Sequence, residues 1–263
     1  MARLVADGHK TRPPTSITYS SVVSRDSVRI ALTIASLNSL HVSACDIGNA
    51  YLNAACREKL WTGSEKGSVM IIARALYGLQ SSGAAWRSTL AQTMEMLGYR
   101  PTQADPDVWI KRVSKQDGSQ YYKLMLIYVD DVLHIAENPE EDIAKLGQEY
   151  RLKDSVRPPD RYLGGNIEKG QTEDGSVAWS MSCYDYLNNA VQQIKDELKE
   201  KNMSLKHFGT GVCPYPACNS PEVDITPVLD EEMTNRFQQL IGILRWSIEL
   251  GRIDILTEVS CLS

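Results

Sequence analysis

Residues 121–137 read YYKLMLIYVDDVLHIAE, two apolar runs that meet at a pair of aspartates. The pattern reads as a β-hairpin with Asp130 and Asp131 at its tip. A carboxylate beside apolar strands carries a desolvation cost that a partner or a metal must offset. Adjacent strand residues point to opposite faces, but at a tight turn both aspartates can reach one ion cluster. Magnesium takes oxygen ligands, usually one or two protein carboxylates, and completes its shell with water and phosphate oxygen. Two such ions clamped by a few aspartates suit in-line nucleotidyl transfer: one activates the attacking hydroxyl and the other neutralises the leaving pyrophosphate. Aspartate is also a favoured turn residue, so the pair taken alone fits a plain hydrophilic turn as well.

A third carboxylate, Asp46, ends the candidate strand His41–Asp46 and precedes Ile47-Gly48-Asn49-Ala50-Tyr51. Taken alone it is equally a cap or a turn residue. Around these segments the apolar spacing predicts helices over 26–40, behind Ser24 and Asp26 as possible caps, and over 82–97, closed by Gly98. Further helices are expected over 139–150, 184–201 and 231–250, the last turning Phe237, Leu240, Ile241, Leu244 and Trp246 towards a core. Strands over 162–168 and 177–180 flank a turn at Asp174-Gly175, and the stretch 208–230, rich in Pro, Gly and Asn, reads as a loop or linker. Helices mixed with antiparallel hairpins define an α+β fold.

The 263 residues suffice for one large domain or two modest ones, and 43% hydrophobic residues can fill a core. A net charge of -5 does not by itself indicate a nucleic-acid binder. A polymerase can still gather its basic residues along one channel, and two stretches lean basic: Arg3, Lys10 and Arg12, then Lys145–Lys169 with Arg151, Lys153, Arg157 and Arg161. Such charges are also what an ordinary solvated face carries. Of the six cysteines, Cys213 and Cys218 lie close together with His207 nearby, but no fourth zinc ligand stands at a suitable spacing. Thiols of a reducing compartment are the better reading. No apolar run approaches the ~20 residues of a membrane helix, and the start of the chain lacks the apolar core of a signal peptide. An intracellular, soluble protein without a membrane partner is expected.

Four separated blocks, in order, resemble the reverse transcriptases of copia-type LTR retrotransposons. They are Cys45-Asp46-Ile47-Gly48-Asn49-Ala50-Tyr51-Leu52-Asn53, Ala75-Leu76-Tyr77-Gly78-Leu79 running on to Ala84-Ala85-Trp86, Ile127-Tyr128-Val129-Asp130-Asp131, and Arg161-Tyr162-Leu163-Gly164-Gly165-Asn166-Ile167-Glu168. Weaker echoes at residues 2–6 and in Asp105-Pro106-Asp107-Val108-Trp109 extend the likeness over nearly the whole chain.

The resemblance implies an RNA-directed DNA polymerase with the fold of a right hand, fingers and palm over 1–180 and thumb over 181–263. The thumb would lead into a connection to an RNase H region absent from this sequence. It implies Asp46, Asp130 and Asp131 as catalytic metal ligands, with the Ile47 carbonyl completing the shell of two Mg²⁺ ions, Mn²⁺ being an alternative. Tyr51 would lie under the incoming sugar and reject a 2′-hydroxyl. Tyr77, Gly78 and Gln80 would lie near nucleotide and template, and Arg3 would meet the triphosphate. Implied partners are an RNA or DNA template with its primer, dNTPs, and the other parts of a retroelement polyprotein, in the cytoplasm (virus-like particles included) or the nucleus. The sequence departs from the family at three places. Tyr51 stands where Phe is usual, Gln80-Ser81-Ser82-Gly83 replaces lysine-glutamine-serine-proline, and the stretch between Asn53 and Ala75 is short. These departures keep open a non-catalytic, nucleic-acid-binding remnant of such a polymerase. An unrelated metal-dependent phosphoryl-transfer enzyme would use the same aspartates but gives no reason for the Tyr77 block.

Overall fold

Helix α1 (Arg25–Leu37) starts where the Ser24 side chain accepts the Ser27 N–H at 3.1 Å, the expected cap. It ends before residue 40 because Ser39 turns left-handed at φ +54° and feeds β1 (His41–Asp46). Two short strands, β2 (Trp61–Gly63) and β3 (Val69–Ile71), pair with each other. Next come α2 (Ser82–Met96), β4 (Arg100–Pro101), β5 (Val108–Ser114), β6 (Gln120–Tyr128), β7 (Asp131–Ala136) and α3 (Pro139–Glu149). The chain continues through β8 (Arg161–Tyr162), β9 (Gly165–Gln171), β10 (Val177–Ser182), α4 (Tyr184–Glu200), α5 (Glu231–Glu249) and α6 (Leu256–Cys261). This is a computed structural model, and it describes residues 5–63, 67, 69–115, 117–153, 156–203 and 227–262. Arg3, His207, Cys213, Cys218 and nearly all of the expected linker 208–230 lie outside the described residues. Helices beside antiparallel sheets make the fold α+β, as the sequence implies.

The central sheet has strand order β1-β7-β6-β5-β4, each neighbouring pair antiparallel. Its middle strands are buried on both faces, which explains why β6 reads as an unbroken apolar run rather than an alternating one. Cys45, Trp109, Met125, Ile127 and Val132 join one core with Trp86, Leu90 and Met94 of α2 and Ile143 and Leu146 of α3. The alternate positions Val42, Ala44, Leu124, Leu126, Leu133 and Ile135 point the other way and are also buried, and α1 packs against β1 and β7. One group of buried polar side chains in this interior is mutually satisfied. Asp142 accepts from Lys123 at 2.9 Å, Lys145 at 2.7 Å and the Tyr99 hydroxyl at 2.8 Å. Burial opposes its charge, but these donors prevail and hold its carboxyl well below the usual range. His134, fully buried with Nδ1 2.8 Å from the Pro139 carbonyl, is driven down to about 4 by that burial and stays neutral.

The described residues divide into two compact units, one running to Leu163 with Lys169–Trp179, the other of Gly164–Glu168 and residues from Ser180 onward. The strand expected over 162–168 is broken. Leu163 and Gly164 are both left-handed, at φ +53° and +77°, so the chain turns there and β9 begins only at Gly165. In the second unit α4 and α5 are tied by an Arg236–Glu197 ion pair at 2.5 Å. Helix α5 has the expected extent, but it buries Ile241 and Ser247 and leaves Phe237 41% exposed. Phe237 lies one turn before Ile241, at the rim of the buried face. Cys45 and Cys183 are buried free thiols, and Cys56 and Cys261 are free as well.

Candidate metal centre

Register brings the acidic residues together. The pairing of β1 with β7 sets Asp46 directly opposite Asp131, and the pairing of β6 with β7 sets Tyr128 on the other side of Asp131. Asp130 lies in the two-residue turn Val129-Asp130 and accepts the Ile47 N–H on its backbone carbonyl at 2.8 Å. One carboxylate oxygen from each of Asp46, Asp130 and Asp131 lies within 4.8 Å of the others. Like charges placed directly across a strand pair are destabilising. The turn is strained too: Val129 has φ +58°, a region that β-branched residues avoid at a cost of about 1–3 kcal/mol.

The charges register this crowding. Burial, then Asp130 and Asp46, push the Asp131 carboxyl up to about 6, while Lys153 and Arg157 pull the other way. Lys153 places its ammonium 2.5 Å from Asp46 and 2.9 Å from Asp130. Burial works against that ammonium, but the two carboxylate bonds prevail and raise its pKa. Gly48 lets the lysine's segment come so close. A Cβ there would stand 2.9 Å from the Arg151 carbonyl, to which the Gly48 N–H donates at 2.7 Å. The donor set is all oxygen, convergent and in need of positive charge. It fits an oxygen-seeking divalent ion such as Mg²⁺ better than a softer metal.

The other expected site residues divide into those near this cluster and those packed elsewhere. Ile47 is fully buried next to Asp46. The Tyr51 and Tyr77 rings stack at 4.7 Å with a 37° tilt, and burial, then Tyr77 and Asp130, raise the Tyr51 hydroxyl. Gly78, at φ +92°, packs against the Ala6 carbonyl, while the Gln80 amide donates to the Gly8 carbonyl at 3.4 Å. Both therefore hold residues 6–8 against the loop. Within the departing block, Ser81 donates to Glu58, and the Ser82 hydroxyl donates to the Leu76 carbonyl at 2.7 Å. Arg3 lies outside the described residues. Two residues escaped the sequence reading. Lys153 stood only as one charge in a basic stretch, and Trp86 only as the end of a motif. A lone lysine far from the aspartates in sequence gives no sign that it meets them.

Fold and site together define an α+β protein whose antiparallel sheet gathers three carboxylates able to hold divalent cations. Comparison with known proteins narrows this class. The family described as Reverse transcriptase (RNA-dependent DNA polymerase) matches residues 1–205. The chain is 28% identical over 280 residues to the Retrovirus-related Pol polyprotein from transposon TNT 1-94 of Nicotiana tabacum, covering 100% of this chain and 20% of that protein. It is 27% identical over 236 residues to the putative transposon Ty5-1 protein of Saccharomyces cerevisiae, covering 83% of this chain and 68% of that protein. A third relative, the transposon Ty1-DR4 Gag-Pol polyprotein of the same yeast, is 31% identical over 278 residues, with 100% and 16% covered. This chain thus spans 20% of the tobacco polyprotein's length and 16% of the yeast Gag-Pol polyprotein's. It belongs to the reverse transcriptase family and is a retrotransposon reverse transcriptase domain.

Proposed function

We propose that the chain is a working RNA-directed DNA polymerase, adding dNTPs to a primer 3′-hydroxyl at the centre formed by Asp46, Asp130 and Asp131. The observation that carries this reading is the convergence of three carboxylates, from segments far apart in sequence, within 4.8 Å. Such repulsion is retained where a cation is to be bound. Asp46, Asp131 and Asp130 would present the ligand oxygens, with the Ile47 carbonyl beside them, for two Mg²⁺ or Mn²⁺ ions. When bound, such ions supply acidification of the primer hydroxyl and neutralisation of the leaving pyrophosphate. The chain's own residues do the rest. Tyr51, braced by Tyr77, forms a wall against a 2′-hydroxyl. Gly78 and Gln80 hold the loop that borders the nucleotide, and Arg3 meets the triphosphate. Lys153 balances the carboxylates and, once cations take its place there, turns to the phosphate oxygens.

In this reading the central sheet is the palm of a right hand, with fingers and palm over 1–180 and a thumb over 181–263 leading to further polyprotein segments. Template, primer and dNTPs are the partners, in the cytoplasm or the nucleus. No helix among the described residues is long and apolar enough to cross a membrane. The altered block at Gln80–Gly83, with Gln80 engaged by Gly8, favours one second reading, a remnant that binds primer-template without extending it. Incubation with poly(rA)–oligo(dT), Mg²⁺ and dTTP separates the two. The polymerase extends the primer, whereas the remnant shows only salt-dependent binding.

A further inference from the structure

Trp86 ends the second sequence block, and the chemistry proposed above makes no use of it. Its side chain is 2% exposed, and a buried indole N–H requires an acceptor. The acceptor is the Val129 carbonyl at 2.7 Å. Val129 is the left-handed first residue of the hairpin turn, and a valine holds φ +58° only where its surroundings over-determine it. Two hydrogen bonds from outside the hairpin do so: Trp86 onto Val129, and the Ile47 N–H onto the Asp130 carbonyl at 2.8 Å. The indole is itself fixed from the far side. Tyr150 meets it edge-on at 5.2 Å and 77°, and the Tyr150 hydroxyl lies 2.6 Å from that of Thr93.

We propose that Trp86 is a positioning residue for the metal centre: its indole N–H clamps the strained Val129 turn and thereby aims the Asp130 carboxylate at Asp46 and Asp131. The proposal rests on the reading that these aspartates bind divalent cations. It separates the N–H of Trp86 from the packing of its ring, and the test does the same. Trp86→Phe removes the N–H and part of the ring. Replacement of Trp86 by benzothienylalanine keeps the bicyclic shape and puts sulfur where the N–H stood, so it folds even if the phenylalanine variant does not. Mn²⁺ binding is followed by titration calorimetry, and folding by thermal melting without metal.

The expected result is Mn²⁺ affinity weakened about tenfold in both variants, the size of one lost hydrogen bond, with the melting temperature of the benzothienylalanine protein close to natural. Because glycine takes positive φ without strain, the same losses measured in a Val129→Gly background shrink to about twofold. Unchanged Mn²⁺ affinity in the benzothienylalanine protein, or an equal loss with and without Val129→Gly, overturns the proposal. If the natural chain shows no Mn²⁺ binding that Asp130→Asn abolishes, the metal-centre reading fails and this proposal with it. If that binding is present and the Trp86 variants match it, the positioning role alone fails.

Discussion

Asp131 is part-buried, faces Asp46 across one strand pair and follows Asp130 in the chain, so burial first and then these two carboxylates disfavour its charge. Its folded pKa of about 6 lies above the ordinary aspartate value of about 3.9. Between those values the folded chain holds the proton that the unfolded chain has released. Metal-free stability therefore falls as pH rises from about 4 to about 6 and stays lowered above that. Asp131→Asn is expected to raise the melting temperature in EDTA at pH 7.5, by about 1 kcal/mol of stability, and to flatten the trend between pH 4 and 6. Melts across that range check both points. On the proposed reading these carboxylates hold Mg²⁺ and protons compete with the cation, so the stabilisation that Mg²⁺ adds is expected to fade as pH falls.

At the scale of elements, much was legible because both relevant periodicities are strong. The β6–β7 hairpin, α1, α2, α3 and α4 fall close to where apolar spacing sets them, and β1 falls on the expected residues. Asp130 and Asp131 were visible because charge at the tip of two apolar runs has few explanations. That Asp46 pairs with Asp131 was not legible from spacing, since register depends on tertiary pairing and only the family resemblance joined them. The break at Leu163-Gly164 escaped because Leu163 gives no local warning of a left-handed backbone. The buried polar cluster under α3 escaped for a related reason. Lys123 and Asp142 look like surface charges until β6 and α3 are packed together, yet Lys123 is 9% exposed and Asp142 fully buried. Truncating Asp142 leaves the buried Lys123 ammonium with the more distant Glu141, at 3.7 Å, in place of its close partner. Asp142→Ala is thus expected to lower unfolding stability by about 3 kcal/mol in urea titrations, far more than loss of an exposed pair such as Arg29–Asp26.

For the whole molecule, an acidic net charge of -5 coexists with membership of the family described as Reverse transcriptase (RNA-dependent DNA polymerase). Two of the chain's basic residues lie near the carboxylates. Lys153 stands between Asp46 and Asp130, and the backbone of Arg157 runs along Ala44 of β1 with its carbonyl accepting at 2.8 Å. The segment following α3 thus brings cations to the carboxylate end of the sheet, and net charge alone conveys none of this. Polymerisation at this centre is tested by comparing the natural chain with Asp130→Asn in single-turnover primer extension on poly(rA)–oligo(dT) with Mg²⁺ and dTTP. Both proteins are first matched for folding by thermal melting and for primer-template affinity. Extension by the natural chain is expected, with a rate at least about a thousandfold lower for the variant, because a proposed metal ligand has been lost at the reacting centre. Comparable extension by Asp130→Asn, or binding without extension by the natural chain, would contradict polymerisation at this centre.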